Sequence, residues 1–357
     1  MRYLLGLSLV VACGGSDPAV DAQADGAPDA PVDAVAVDGP IRDGPIRDGP
    51  IRDGPTRDGP TRDGPISDVR RLSMMSGLLM PTSTAQATLF GFDLDGRAND
   101  GVDNQLGTLL ASFTNIAPEL SIPEAVTTAV DRGRVLSLVE LRADDLVDDP
   151  AAVVRVHVGE QPDPPACSSA ADVVCRRHFG GDATVELATG VMPGAPLAGQ
   201  LVSGTLTLSV ADGELTLPFA LGDRPAGYLH LQRAQLSLRI GSDGVVLDGK
   251  VGGAVTRVDF DTVVVPQLHA HFADLVGRDC DMIGGADRCG CGAGTAGATV
   301  MGFFDADGDC VVEVDEVQAR LAALTSPDLD LDGDGVSDAR SIGLGVTGVA
   351  VSFPEPP

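Results

Sequence analysis

Residues 201–219 read LVSGTLTLSVADGELTLPF and carry a clear β-strand pattern. Leu and Val alternate with Thr and Ser over residues 201–210, and a second alternating run covers residues 214–219. A period of two places the apolar side chains on one face of a strand, and the intervening Ala-Asp-Gly is a typical turn composition. The stretch therefore predicts two consecutive strands joined by a short turn.

Similar alternation extends outward from this stretch in both directions. The further runs cover residues 135–141, 153–158, 183–187, 229–240 and 245–247. Closely spaced strands separated by Gly-, Asp- and Pro-containing turns favour an antiparallel sheet over alternating βαβ units. We predict a mainly β fold with an antiparallel, sandwich-like body, or a sheet that curls on itself.

A few helices accompany the strands. Residues 123–131 and 266–276 each begin with a proline, which the first turn of a helix tolerates, and a short helix is predicted over residues 317–324. Trp is absent and aromatic residues make up 3% of the chain, so Val, Leu, Ile and Ala have to form the core. The composition also lacks the aromatic surfaces on which sugars and bases stack.

The N-terminus has the organisation of an export signal. Arg2 precedes an apolar run, too short for a transmembrane helix, that ends Val10-Val11-Ala12-Cys13. This ending resembles the lipobox of bacterial lipoproteins. The resemblance implies a signal peptide at residues 1–12 and a lipidated Cys13. It also implies the outer membrane of the cell envelope, because Gly14 follows the cysteine instead of Asp. The alternative is an ordinary signal peptide with an incidental cysteine.

A low-complexity linker follows at residues 13–68. A five-residue repeat, Asp-Gly-Pro-Ile-Arg, begins at Asp38, and its prolines exclude a regular helix. Its glycines recur every fifth residue, whereas collagen requires every third. We predict a disordered tether with a reach on the order of 150 Å if extended; expansion by repeat slippage would produce the same tract.

The charge is strongly negative throughout. The whole chain carries −28, and residues 14–68 contribute twelve Asp against five Arg, so the body is acidic as well. This balance argues against nucleic acid as a partner and is consistent with cation binding, although acidity also favours solubility. Contact with the membrane is expected only through the lipid anchor, and any extracellular protein or glycan ligand stays unidentified.

Six cysteines remain after Cys13, and an even number in an exported chain predicts disulfides. They are Cys167, Cys175, Cys280, Cys289, Cys291 and Cys310. Proximity favours a bond between Cys167 and Cys175, which leaves four cysteines to cross-link the C-terminal segment. Zinc is the alternative, but one residue separates Cys289 from Cys291, where structural zinc sites have two to four.

Residues 305–316, DADGDCVVEVDE, place acidic side chains at alternate positions before the last predicted helix. The stretch resembles an EF-hand loop with its exiting helix, which implies calcium as the cofactor. The implied ligands are Asp305, Asp307, Asp309, the carbonyl of Val311 and Glu316, with Glu313 at position 9. An acidic surface turn without a bound ion is the alternative.

One residue departs from the EF-hand pattern. Position 6, where glycine normally makes a sharp turn, is Cys310. A left-handed backbone costs a residue with a Cβ about 1–2 kcal/mol, so calcium affinity should fall unless a disulfide holds the turn.

Two more acidic stretches can be compared with this loop. Residues 328–338, DLDLDGDGVSD, resemble the calcium loops of thrombospondin type 3 repeats and dockerins. The implied ligands are Asp330, Asp332, Asp334 and Asp338, and Ser341 occupies position 12 where an EF-hand has glutamate. A third stretch, residues 93–104, fits no EF-hand register because Arg97 occupies position 5, and it is either a cation loop or a plain Asp/Asn/Gly turn.

No motif in the sequence identifies a reaction. There is no HExxH or Gly-x-Ser-x-Gly sequence, and His269 and His271 face apart if residues 266–276 are helical. We therefore predict a lipoprotein that binds calcium structurally and is not an enzyme. The alternatives are a surface adhesion or glycan-binding module and, behind it, an acidic hydrolase.

The predicted domain organisation has four parts. A signal peptide at 1–12 and a linker at 13–68 precede a β-rich domain at 69–278. A Cys- and Gly-rich segment with the EF-hand-like loop follows at 279–357.

Overall fold

The computed structural model describes residues 70–97, 101–169, 171–172, 174–209, 213–280 and 289–355. The predicted signal peptide, the lipidated cysteine and the linker lie outside these residues. The described residues belong to one compact unit. None of their helices combines the length and the apolar character that a bilayer-spanning helix needs.

The described residues contain ten strands, which pair antiparallel. They are β1 (Arg70–Leu79), β2 (Ser137–Arg142), β3 (Asp149–Asp163), β4 (Thr184–Leu187), β5 (Leu197–Val202), β6 (Thr205–Ser209), β7 (Glu214–Phe219), β8 (Gly227–Ile240), β9 (Val246–Thr256) and β10 (Ala339–Ala350). The mainly β, antiparallel prediction is confirmed.

Eight of these strands close into a barrel. Their order around the ring is β1, β10, β9, β8, β6, β5, β3 and β2, and β2 pairs again with β1. β4 extends from β3, and β7 pairs with β8 beside β6. The predicted sandwich is therefore corrected to a closed sheet, because β10 joins β1 to β9 and the β2–β3 pair closes the other side.

Neither β1 nor β10 was predicted from the sequence, and the strand predicted over residues 201–210 is divided between β5 and β6 by a turn at residues 203–204. β10 is the more deeply buried of the two unpredicted strands. Its first eight residues are all buried, so it lacks the apolar–polar alternation of a half-exposed strand. Glycine is required in it at Gly343, where a Cβ would lie 2.3 Å from the carbonyl oxygen of Phe90. Asn104 bonds both backbone groups of Gly343, its Oδ1 accepting from the N–H at 2.8 Å and its Nδ2 donating to the carbonyl at 3.0 Å.

The described helices lie between and around the strands. They are α1 (Thr84–Phe90), α2 (Gln105–Ile116), α3 (Ile122–Asp131), α4 (Arg257–Asp259), α5 (Val265–Asp279), α6 (Ala296–Phe304) and α7 (Val314–Leu324). A π-helical stretch, Phe260–Val264, joins α4 to α5 without a break. The three predicted helices correspond to α3, α5 and α7, whereas α1, α2, α6 and the three-residue α4 were not predicted.

The main core lies between the barrel and these helices. α2 contacts β10, α3 contacts β1, and α5 packs against α6 and α7. Phe272 of α5 stacks on Phe304 of α6 with ring centroids 4.6 Å apart, and both rings are fully buried. Phe272 and Phe304 thus pack where two helices meet, while Leu and Val make up most of the core that the strands contribute.

A buried carboxylate, Glu140 of β2, lies among three arginines. Its side chain is 1% exposed and lies 2.7 Å from Arg142 Nε, 3.2 Å from Arg70 Nε and 3.2 Å from Arg155 Nη1. Burial alone would raise the pKa of Glu140, but the arginines outweigh burial and lower it. The cluster ties β1, β2 and β3 together.

Candidate metal sites

The first acidic loop, residues 305–316, connects α6 to α7. Asp305 directly follows α6, and Glu316 lies in the first turn of α7. The structure brings a carboxylate oxygen of each of Asp305, Asp307 and Glu316 within 4.8 Å of one another. Positions 1, 3 and 12 of the predicted EF-hand-like loop therefore converge.

The second acidic loop, residues 330–338, runs directly into β10. Carboxylate oxygens of Asp330, Asp332 and Asp334, at positions 1, 3 and 5, likewise lie within 4.8 Å of one another. Backbone hydrogen bonds lower the pKa of Asp330, first the one from the N–H of Gly335. These hydrogen bonds favour the ionised form of the Asp330 carboxyl, which is the form that binds a cation.

The two loops share one hydrogen-bond pattern. The N–H of position 6 donates to the carboxylate of position 1, at 3.3 Å from Cys310 to Asp305 and at 2.8 Å from Gly335 to Asp330. The N–H of position 5 donates to the carboxylate of position 3 at 3.0 and 3.1 Å. The N–H of position 7 donates to the carboxylate of position 5 at 2.8 and 2.7 Å. The pattern bends both backbones around their acidic side chains.

In each loop, the carboxylate of a residue further along the chain accepts a hydrogen bond from the N–H of position 2. In the first loop, Glu316 accepts from the N–H of Ala306 at 2.7 Å. In the second loop, Asp338 accepts from the N–H of Leu331 at 3.0 Å. The shorter second loop thus uses an aspartate at position 9 for the contact that the first loop makes through a glutamate at position 12.

The remaining predicted ligands lie beside these clusters. Asp309 accepts the N–H of Val311, and Glu313 donates its own N–H to Glu316 at 3.0 Å. The neighbouring acids, first Asp315, raise the pKa of Glu313, with a smaller effect of burial. The shift in the pKa of Glu313 reflects the repulsion between neighbouring negative charges.

Cys310 has the left-handed backbone expected at position 6. Its φ is 73°, close to the 89° of Gly335 at the same position of the second loop. Cys310 forms a disulfide with Cys289, and the other two disulfides join Cys280 to Cys291 and Cys167 to Cys175. The predicted disulfides are present. Cys289 and Cys291, for which a zinc site was the alternative, each form a disulfide.

The third acidic stretch also gathers three carboxylates, from Asp93, Asp95 and Asp103. Asp103 accepts the N–H of Leu94 at 2.7 Å, which is the closing contact at position 2 found in the other loops. Arg97 pairs with Asp95 at 3.2 Å and so places a positive charge beside the cluster. Residues 98–100 lie outside the described part of this stretch.

The second and third loops are neighbours in the fold. Leu94 packs with Leu329 and Leu331 in a small apolar cluster that also holds Phe92. Next to it, the hydroxyl of Ser341 donates to the carboxylate of Asp328 and accepts the N–H of Gln105 at 2.7 Å. The start of β10 and the start of α2 are therefore connected next to the two loops.

His269 and His271 of α5 contact different partners, as predicted for two residues that are two positions apart on a helix. His269 Nε2 lies 2.9 Å from the carbonyl oxygen of Val312 in the first loop. His271 Nε2 lies 2.7 Å from the carbonyl oxygen of Leu120, and burial lowers the pKa of His271. His269 thus links the first loop to α5.

A slot between β7 and residues 190–197 is a feature that sequence reasoning missed. Its cavity of about 460 Å³ is lined by Thr216, Tyr228 and His230, among others. His230 Nδ1 lies 3.1 Å from Oδ1 of the largely buried Asp259. No motif signalled this pair, because the two residues are 29 positions apart and lie on different elements.

Comparison of the chain with protein-family models, with curated proteins and with solved structures finds no match.

Proposed function

We propose that this protein is an outer-membrane lipoprotein whose β-rich body is stabilised by calcium bound in its acidic loops. One observation carries the calcium proposal. Two loops in different surroundings, one between helices and one before a strand, share the same hydrogen bonds and gather three carboxylates each. The EF-hand-like identity of the first loop rests on this likeness.

The spacing of the carboxylates suits a calcium ion. Oxygens that share one calcium lie 2.3–2.6 Å from it, and therefore at most about 5 Å from one another. The carboxylate oxygens of each cluster lie within 4.8 Å of one another. Like charges at such distances repel, and a divalent cation between them would remove the repulsion.

The position of the loops supports a structural role for the ion. The first loop leads into α7, whose Val317 and Leu321 are fully buried. The second loop leads into Ala339, the fully buried first residue of β10. A cation that binds the folded loops and not the unfolded chain would stabilise these junctions by mass action.

Thermal unfolding tests the calcium proposal. At calcium concentrations about 100-fold above Kd, binding at one site would stabilise the fold by about 2.7 kcal/mol, or roughly 5 °C in midpoint for a domain of this size. We expect that rise relative to excess chelator in the natural protein. Asp305→Ala with Glu316→Ala should remove the share of the rise that belongs to the first loop.

The control has the same change in charge at exposed acids outside the loops. Glu186→Ala with Glu214→Ala alters two side chains that are exposed on strands β4 and β7. This control should retain the full calcium-dependent rise. Identical melting curves of the natural protein in calcium and in chelator would refute the calcium proposal.

The lipid anchor is proposed from the lipobox, and it has a separate test. The three disulfides support the proposal, because disulfides form in oxidising compartments outside the cytosol. In cells fed an alkyne-tagged fatty acid, the natural protein should take up the label and fractionate with the outer membrane. Cys13→Ala should lose the label, and labelling that persists in this variant would contradict acylation at Cys13.

A further inference from the structure

We propose that the Cys289–Cys310 disulfide is a positioning device for the first calcium loop, which holds position 6 in the backbone conformation that glycine supplies in the second loop. The inference rests on the proposed calcium binding of the first loop. It adds that the affinity of this loop depends on a covalent bond to a residue outside it.

The backbone at position 6 determines where its N–H points. At φ 73° the N–H of Cys310 donates to Asp305, and at φ 89° that of Gly335 donates to Asp330. Glycine adopts such a φ freely, whereas a residue with a Cβ is disfavoured there. The first loop thus reaches the same hydrogen bond as the second loop with a residue that does not favour it.

The disulfide connects position 6 to a fixed part of the molecule. Cys289 is 8% exposed, and Cys291 two residues later is fully buried and bonded to Cys280 at the end of α5. His269 of α5 contacts the carbonyl of Val312, so the loop is held to the body on both sides of Val311. Cys310 is therefore restrained from outside the acidic cluster.

This restraint should act on the affinity for calcium. A loop whose turn is already formed does not have to adopt an unfavourable conformation when the ion binds, so less binding free energy is lost. Without the disulfide, serine at position 6 should relax to a commoner φ and return to the left-handed region only on binding. The left-handed penalty corresponds to an affinity about five- to thirty-fold weaker.

Calorimetric titration of the full chain with calcium chloride tests the inference. All variants carry Asp330→Ala with Asp332→Ala, which silences the second loop. Cys289→Ser with Cys310→Ser removes the disulfide and keeps a Cβ at position 6, and should weaken binding to the first loop about five- to thirty-fold. Cys289→Ser with Cys310→Gly removes the same bond and supplies glycine, and should bind within about three-fold of the disulfide-bonded protein.

The two cysteine variants control for each other, since both lose the same cross-link. Equal affinity in the serine variant and the disulfide-bonded protein would overturn the positioning role. A glycine variant as weak as the serine variant would overturn it too, because the loss would then come from the missing cross-link and not from position 6. If the disulfide-bonded protein binds no calcium through its first loop, the calcium site fails and this inference fails with it.

Discussion

At the scale of single residues, Glu140 shows how this acidic chain accommodates a buried charge. Arg142 contacts two carboxylates at the same distance of 2.7 Å, those of Glu140 and Glu355. Glu140 is 1% exposed and Glu355 is 67% exposed, so the two pairs differ mainly in their access to water. Water screens an exposed ion pair, whereas a buried charge without its partner is costly.

We expect Glu140→Gln to destabilise the protein by about 2–3 kcal/mol, because three arginines would lose their shared carboxylate. Glu355→Gln, the matched control, should change stability by less than about 1 kcal/mol. Urea unfolding at pH 7 measures both. Equal effects of the two substitutions would show that Glu140 and its arginines do not act as a buried ion network.

The same carboxylate predicts a pH dependence. The pKa of Glu140 is lower in the folded protein than its usual value near 4.5, so its ionised form is favoured by folding. This contribution is complete above the unfolded pKa and is lost as the pH falls through the folded pKa. The difference between the natural protein and Glu140→Gln should therefore shrink below about pH 4.

The sequence predicted the acidic loops but not the Glu140 cluster or the His230–Asp259 pair, and both outcomes have the same cause. The ligands of the first loop lie within twelve consecutive residues, so their spacing alone indicates that they converge. Glu140 meets Arg70 and Arg155 only through the pairing of three strands, and His230 meets Asp259 across 29 residues. Contacts of this second kind depend on strand register, which no local pattern contains.

At the scale of elements, the sequence predicted most strands and three helices, and it missed β1, β10 and α2. β7 covers the predicted residues 214–219, and α3 and α5 begin one residue before the prolines that predicted them. β10 was missed because its glycines weaken the strand signal and most of it is buried. α2 and its Asn104 cap were likewise hidden in a stretch of mixed polarity.

Two glycines provide a test of the packing of these elements. Gly277 lies on the exposed face of α5, where an added methyl group would meet open space, whereas a methyl group on Gly343 of β10 would overlap Phe90. Gly277→Ala should stabilise the protein by about 0.5–1 kcal/mol through helix propensity. Gly343→Ala should destabilise it by about 1–3 kcal/mol or more through overpacking.

Thermal melting of the two variants measures both effects with the same chemical change. Stabilisation by Gly343→Ala would contradict the close approach of α1 to β10. A loss of stability in Gly277→Ala would contradict the exposed, helical position of that glycine.

At the scale of the whole molecule, the sequence indicated the class of structure and left two arrangements open, a sandwich and a sheet that curls on itself. Alternation and turns predicted a mainly β, antiparallel body, which the structure confirms. Whether such strands form two packed sheets or a closed barrel depends on which edge strands pair with each other. Here β10, from the predicted C-terminal segment, pairs with β1 and β9 of the predicted β-rich domain.

The position of β10 between β1 and β9 also determines when the barrel can close during synthesis. The first and last of the described strands along the chain, β1 and β10, are neighbours in the barrel. A ribosome has to release β10 before the sheet can close, and until then β1 and β9 each lack one partner. Pairing between distant parts of a chain is slow to form. A nascent chain would thus keep an open sheet, with two strands still unpaired on one side, until β10 has been synthesised.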